Sequence, residues 1–210
     1  MILLHHLRVG RSLFTVWLLE ELGLDYELKI YVRNEKGRAQ ADLRDAHPLG
    51  KSPVIEDGDL LLAESGAITS YLLDRHDTDH VLAPPRENIK ERAIYTQWLH
   101  YSEGSAFAPL IMKRLLMADP DQKPPLITGF ASGEVNLQLG YISDFLGDKQ
   151  YLLGDRLQGT DFGMSYILEM AGRFGRLEPY PNLQAYIERV KARPAFKRAC
   201  ERAGEPERAG

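Results

Sequence analysis

Apolar positions along this chain change their spacing part-way. Between residues 2 and 76, runs that alternate are interleaved with runs of helical spacing; beyond residue 86 only helical spacing recurs. Residues 2–7 form a short apolar-rich run that predicts a first strand. From Ser12, apolar side chains at Leu13, Val16, Trp17, Leu19 and Leu22 recur as on one face of a helix, with Ser12 as a cap at its start and Gly23 at its end. Glu20 and Glu21 oppose the dipole in the last turn of that helix, so packing is expected to hold this end. Tyr26, Leu28, Ile30 and Val32 predict one face of a second strand, which completes a strand–helix–strand unit. Residues 33–46 are polar and predict a loop with a short, poorly buried helix.

Two short apolar runs, Val54-Ile55 and Leu60-Leu61-Leu62, flank Asp57-Gly58, a strong tight-turn signal between antiparallel strands. Ser65 then caps a helix carrying Ile68, Tyr71 and Leu72. The order of elements over residues 1–76 matches a thioredoxin-like fold with a mixed four-stranded sheet. Residues 77–85 end in a double proline and predict a linker. Residues 86–203 predict an all-helical domain, with a kink or break near Pro109. A frayed tail is expected over 204–210.

Composition narrows the class. The 210 residues are 44% apolar and 27% charged, as in an ordinary globular protein. Net charge is -4, which argues against a nucleic-acid partner. The lone cysteine, Cys200, forms no internal disulfide, and no apolar run reaches the length of a membrane helix. A cytoplasmic protein with no membrane partner is expected. His5 and His6 point to opposite faces of their strand, His76 and His80 flank a linker, and no Ser-His-Asp arrangement can be placed. No metal site is predicted.

The chain resembles the cytosolic glutathione transferases, of bacterial and fungal type. The residues that carry the resemblance are Trp17 to Leu24, Pro48-Leu49-Gly50-Lys51-Ser52-Pro53-Val54-Ile55, Glu64-Ser65-Gly66-Ala67-Ile68 and Trp98 to Ser105. Leu153-Gly154-Asp155-Arg156 with Asp161, and Tyr180-Pro181-Asn182-Leu183 through Phe196, complete it. Three positions depart from the usual pattern: His47 in place of Asn, Ser52 in place of Val, and Gln158 in place of a capping Ser or Thr.

The resemblance implies glutathione as a substrate, held by Lys51, Ser52, Pro53, Glu64, Ser65 and His47. Ser52, before a cis Pro53, would pair its main chain with the cysteinyl backbone, so its side-chain identity should matter little. Glu64 and the helix start at Ser65 would take the γ-glutamyl end. Lys51 would face the glycine carboxylate, with His47 at the same end. A small apolar electrophile is implied as the second substrate, in a pocket between the domains lined by Tyr101, Phe107 and Met112. A homodimer is implied as well.

Catalysis requires the thiol to ionise. A thiol pKa near 8.5 must fall by about 2 units, equivalent to about 2.7 kcal/mol. One charge-assisted hydrogen bond supplies about 1.5–3 kcal/mol. Ser12 stands where serine-type members of the family keep their catalytic hydroxyl, though a plain helix cap is the other reading. Some relatives place the serine two residues earlier, where this chain has Gly10, and Arg11 then becomes the alternative as a cation beside the thiolate. Conjugation to an electrophile is the implied activity. Glutathione-dependent peroxide or disulfide reduction and a non-catalytic glutathione-binding role remain the alternatives.

Overall fold

A computed structural model describes residues 1–35, 37–118 and 124–205. Two compact units result: Met1–Asp79 together with the described residues from Val190 onward, and His80–Arg189. The last helix of the chain therefore belongs to the first unit, although it follows the second in sequence.

The first unit has the thioredoxin-like arrangement. Its elements are β1 (Ile2–Leu7), α1 (Ser12–Leu22), β2 (Tyr26–Tyr31), α2 (Leu43–Ala46), β3 (Val54–Asp57), β4 (Leu60–Ala63) and α3 (Ser65–His76). Among the described residues the sheet has the order β2-β1-β3-β4. β1 runs parallel to β2 and antiparallel to β3, and β3–β4 is the hairpin expected around Gly58. Alternation along β1 sends Leu4 and His6 toward α1, while His5 and Leu7 face the opposite side, where Leu7, Tyr31 and Leu43 of α2 form a small core.

Three local expectations fail, the first of them in part. The alternating face of β2 is buried only at its start: Tyr26 is inside and Leu28 half-buried, but Ile30 and Val32 are exposed and Tyr31, on the other face, is inside. β2 is an edge strand, and the Tyr31 hydroxyl meets His5 Nδ1 at 2.8 Å, which draws that ring inward. Nor does Ser12 cap α1. Arg11 holds the N-cap position with helical dihedrals and no side-chain cap, because the Ser12 hydroxyl turns back toward β1. Glu64 likewise precedes α3 without a side-chain cap, so Ser65 is its first helical residue.

Helix α9 (Pro194–Arg202) packs along α1. The Phe196 ring sits 6.0 Å from Phe14 and 5.5 Å from Trp17, edge-on to the indole. At the far end of α1, Glu21 takes a two-pronged contact from Arg193 at 2.5 and 2.8 Å, plus the Trp17 indole N–H at 2.8 Å. Glu20 accepts from Tyr26, Arg198 and Arg202. Burial opposes ionisation of Glu20, yet the Tyr26 hydroxyl and the two guanidinium groups leave its carboxyl below the ordinary value. The two carboxylates that face the wrong end of the dipole are thus answered by three arginines. Packing alone does not hold this end.

The second unit contains α4 (Ile89–Tyr101), a π-helical turn Ser102–Ala106, α5 (Phe107–Ala118), α6 (Pro125–Leu146), α7 (Gly159–Arg173) and the start of α8 (Pro181–Ala192). The break expected at Pro109 falls just upstream of it. Proline lacks an N–H and its ring crowds the carbonyl four residues back, at Ser105, so the preceding turn widens. The widened turn lies against α7 so closely that a Cβ on Gly163 would stand 2.8 Å from Ser102 Oγ. Asp161 ties the start of α7: it accepts from Gln158 N–H, Leu152 N–H and the Tyr186 hydroxyl. A local folding signal therefore survives the change to Gln158, because the carboxylate side of the motif supplies it.

Candidate functional site

The end of β1 is the point on which the site is built. A single backbone donor, Leu7 N–H, is shared by two hydroxyls: Ser12 Oγ at 3.2 Å and Ser52 Oγ at 3.1 Å. Ser52 in turn donates to His5 O at 2.7 Å. The start of α1 and the loop entering β3 are thereby sewn to the same strand. The Ser52 side chain thus has a defined structural task, contrary to the expectation that its identity matters little. Valine, usual at this position in the family, has no group to make either bond.

Ser52–Pro53 is a cis peptide, and Pro53 is buried. Val54 pairs with Ala63, so the antiparallel register places Pro53 opposite Glu64. Glu64 is exposed and has φ 71°, a left-handed conformation uncommon for a side-chain-bearing residue. Its carbonyl accepts the Ile68 N–H at 2.9 Å, which starts α3, so the first N–H groups of that helix lie beside Glu64 and the half-buried Ser65. Sheet pairing thus brings Ser12, Ser52, Pro53, Glu64 and Ser65 to one edge.

Lys51 is exposed next to this edge. His47 is half-buried and ends α2: its N–H reaches Leu43 O at 3.2 Å and its carbonyl accepts Gly50 N–H at 2.8 Å. His47 thereby shapes the turn that leads into Lys51.

The β1–α1 corner, residues 8–12, is tightly built. Val9 has φ 56°, its N–H reaches Glu205 Oε1 at 2.8 Å, and its carbonyl accepts from Arg33 at 3.0 Å. Gly10 is buried, and a Cβ there would meet Leu7 O at 2.8 Å, so no serine fits this position without moving backbone. Arg11 is half-buried at the mouth of α1. Ser12 is fully buried, with its Oγ 2.9 Å from His6 Nδ1 and 3.3 Å from Leu7 O. His6 Nε2 lies 3.2 Å from Glu205 Oε1, at ion-pair distance and off the line of a hydrogen bond. The sequence offered one signal for this row: a histidine on the inward face of an apolar strand. Its carboxylate partner lies at the other end of the chain.

In the second unit, Tyr101 is directed to α6. Its ring packs on Trp98 and Tyr141, and its hydroxyl donates to Gln138. Burial, with Tyr141 and Glu134 nearby, pushes the Tyr101 hydroxyl up to about 12, so it remains a donor. Phe107 faces Tyr166 of α7 at 6.1 Å, and Met112 is exposed on α5. Among the described residues no cluster of His, Cys, Asp or Glu is placed to hold a metal, and no helix is long and apolar enough to cross a membrane.

Comparison with known proteins bears on this geometry. Residues 1–74 match the glutathione S-transferase N-terminal domain and residues 111–201 the glutathione S-transferase C-terminal domain. Glutathione S-transferase 3 of Schizosaccharomyces pombe is 32% identical, over 96% of this chain and 88% of its own length. Glutathione S-transferase 1 of Saccharomyces cerevisiae is 31% identical, over 95% and 94%. Among solved structures, a glutathione S-transferase from Actinobacillus pleuropneumoniae superposes with a TM-score of 0.87 at 34% identity, covering 100% of this chain and 97% of the other.

Proposed function

We propose how the site works in this chain, which belongs to the glutathione S-transferase family and is a glutathione transferase. Glutathione lies along the edge formed by Ser52, Pro53, Glu64 and Ser65. Its cysteinyl backbone pairs with the Ser52 main chain as an added strand. The γ-glutamyl carboxylate sits at the N-terminus of α3, with Glu64 taking the amine, and the glycine carboxylate faces Lys51 beside the turn shaped by His47. The electrophile is small and largely apolar.

Arg11 and the N-terminus of α1 stabilise the thiolate, while Ser12 holds them in place from behind. One observation supports this division. The Ser12 hydroxyl is buried and already shared among His6 and both main-chain groups of Leu7, whereas Arg11 is partly exposed at the helix start. A guanidinium contact of about 1.5–3 kcal/mol, with about 0.3–1 kcal/mol from the helix end, covers the stabilisation the thiol needs.

Titration of the bound thiol by thiolate absorbance tests the assignment. Arg11→Ala should raise its pKa by about one unit, equivalent to about 1.4 kcal/mol. An unmoved pKa in Arg11→Ala, with a raised one in Ser12→Ala, would return catalysis to the serine. A homodimer in the cytoplasm completes the proposal. Exposed Met112 and Leu115 on α5 and Phe130, Leu137 and Tyr141 on α6 support self-association, which sedimentation at several concentrations tests.

A further inference from the structure

We infer that Glu205, on the segment following α9, is a positioning residue for the thiolate-stabilising corner, acting through Val9 and His6. This rests on the role proposed for Arg11 and the start of α1. Three observations carry it.

The first is burial. The Glu205 side chain has no solvent exposure, and an ionised carboxylate offers only acceptors, so it must find donors inside. It takes the Val9 N–H at 2.8 Å and faces His6 Nε2 at 3.2 Å. The second is backbone conformation. Val9 is β-branched at φ 56°, a state that persists only where its surroundings hold it. Glu205 grips its N–H and Arg33 its carbonyl, one residue before Gly10 and two before Arg11.

The third is continuity. Carboxylate, imidazole and hydroxyl stand in a row from Glu205 through His6 to Ser12, the first residue of α1. The carboxylate favours a proton on His6 Nε2. In the neutral ring, Nδ1 then accepts the Ser12 hydroxyl proton. In the imidazolium, Nδ1–H donates to Ser12 Oγ and the hydroxyl proton turns to Leu7 O at 3.3 Å. Ser12 keeps its place in both. Without the carboxylate the other tautomer becomes available, Val9 N–H loses its acceptor, and the corner loosens at the point that presents Arg11.

The test uses the full-length chain and the variants Glu205→Ala and Glu205→Gln. Nitrogen-15 spectra of the His6 ring, recorded without glutathione, should move in both. Turnover of a chloronitrobenzene at saturating glutathione should fall about tenfold or more in Glu205→Ala. The fall should be smaller in Glu205→Gln, which retains an acceptor for Val9. Glutathione affinity by calorimetry should stay within about twofold, a difference of about 0.4 kcal/mol.

Unchanged turnover in Glu205→Ala would overturn the inference. So would a fall with the His6 resonances at wild-type positions, since the tail would then only stabilise the fold. If Glu205→Ala does not fold, Glu205→Gln decides: unmoved ring resonances with unchanged turnover refute the role. Because the ring spectrum needs no glutathione, it stands or fails separately from the thiol titration of Arg11→Ala.

Discussion

The two ends of α1 are both held by the last part of the chain, and by opposite means. At the C-terminal end, Glu20 and Glu21 meet Arg193, Arg198 and Arg202 in contacts that are partly open to water. At the N-terminal end, one buried carboxylate meets a buried histidine and a strained main-chain N–H. The open contacts are numerous and each is replaceable. The buried row is short, and every member has a partner that would be stranded by its loss. Removing one member of a buried polar set costs more than removing one of several screened ion pairs. The C-terminal end of α1 therefore tolerates single losses better than its N-terminal end, where the buried row stands beside the corner proposed to stabilise the thiolate.

Breaking what the two ends share should have the largest effect. Phe196→Ala removes the ring that α9 wedges against Phe14 and Trp17 and should cost about 3–5 kcal/mol in denaturant unfolding. Both ends loosen in that variant. Arg193→Ala separates them. It takes both guanidinium bonds from Glu21, whose side chain is largely buried, while the Trp17 N–H stays, and should cost about 1.5–3 kcal/mol while glutathione affinity holds. A matching loss of affinity would show that the two ends are coupled.

Gly10→Ser probes the other end. Its Cβ would press on Leu7 O, so about 1–3 kcal/mol of stability should go. Turnover should suffer more than in Arg193→Ala despite a similar cost. Equal turnover in the two variants would erase the contrast between the ends.

The smallest effects should come from Arg198 and Arg202, about half exposed, at about 0.2–1 kcal/mol each and weaker in high salt. Acid acts on the same pair. A carboxyl held below its ordinary value adds stability above that value and loses it as the pH falls through the lowered one. Glu20 therefore contributes fully above about pH 4.5 and progressively less below it. Glu20→Gln should flatten that part of the stability curve, and a curve with the wild-type slope would remove Glu20 from the account.

Much of this was legible in order along the chain. The strand–helix–strand opening, the hairpin at Gly58 and the helical second half follow from spacing and turn chemistry, which act over a few residues. The edge proposed to bind glutathione was legible as a motif, because Lys51 to Pro53 and Glu64-Ser65 are each local and a hairpin must bring them together. The switch of face at the end of β2, from Tyr26 to Tyr31, was not legible, since its place at the sheet edge and its bond to His5 are not properties of its own residues. The cap at Ser12 was misread for the same reason: a hydroxyl takes the best partners within reach, and β1 offered them.

Local pattern was enough for the elements, their order and the family, and it marked the stretch from 47 to 65 as the one proposed to hold glutathione. What the hydroxyls of Ser12 and Ser52 do, and which carboxylate stands behind His6, depended on how distant segments pack. Glu205 lies 196 residues from Val9, and no local pattern links them. Periodicity encodes which side of an element is buried. Which buried polar group meets which is settled only when packing brings distant segments within the 3 Å or so that a hydrogen bond requires.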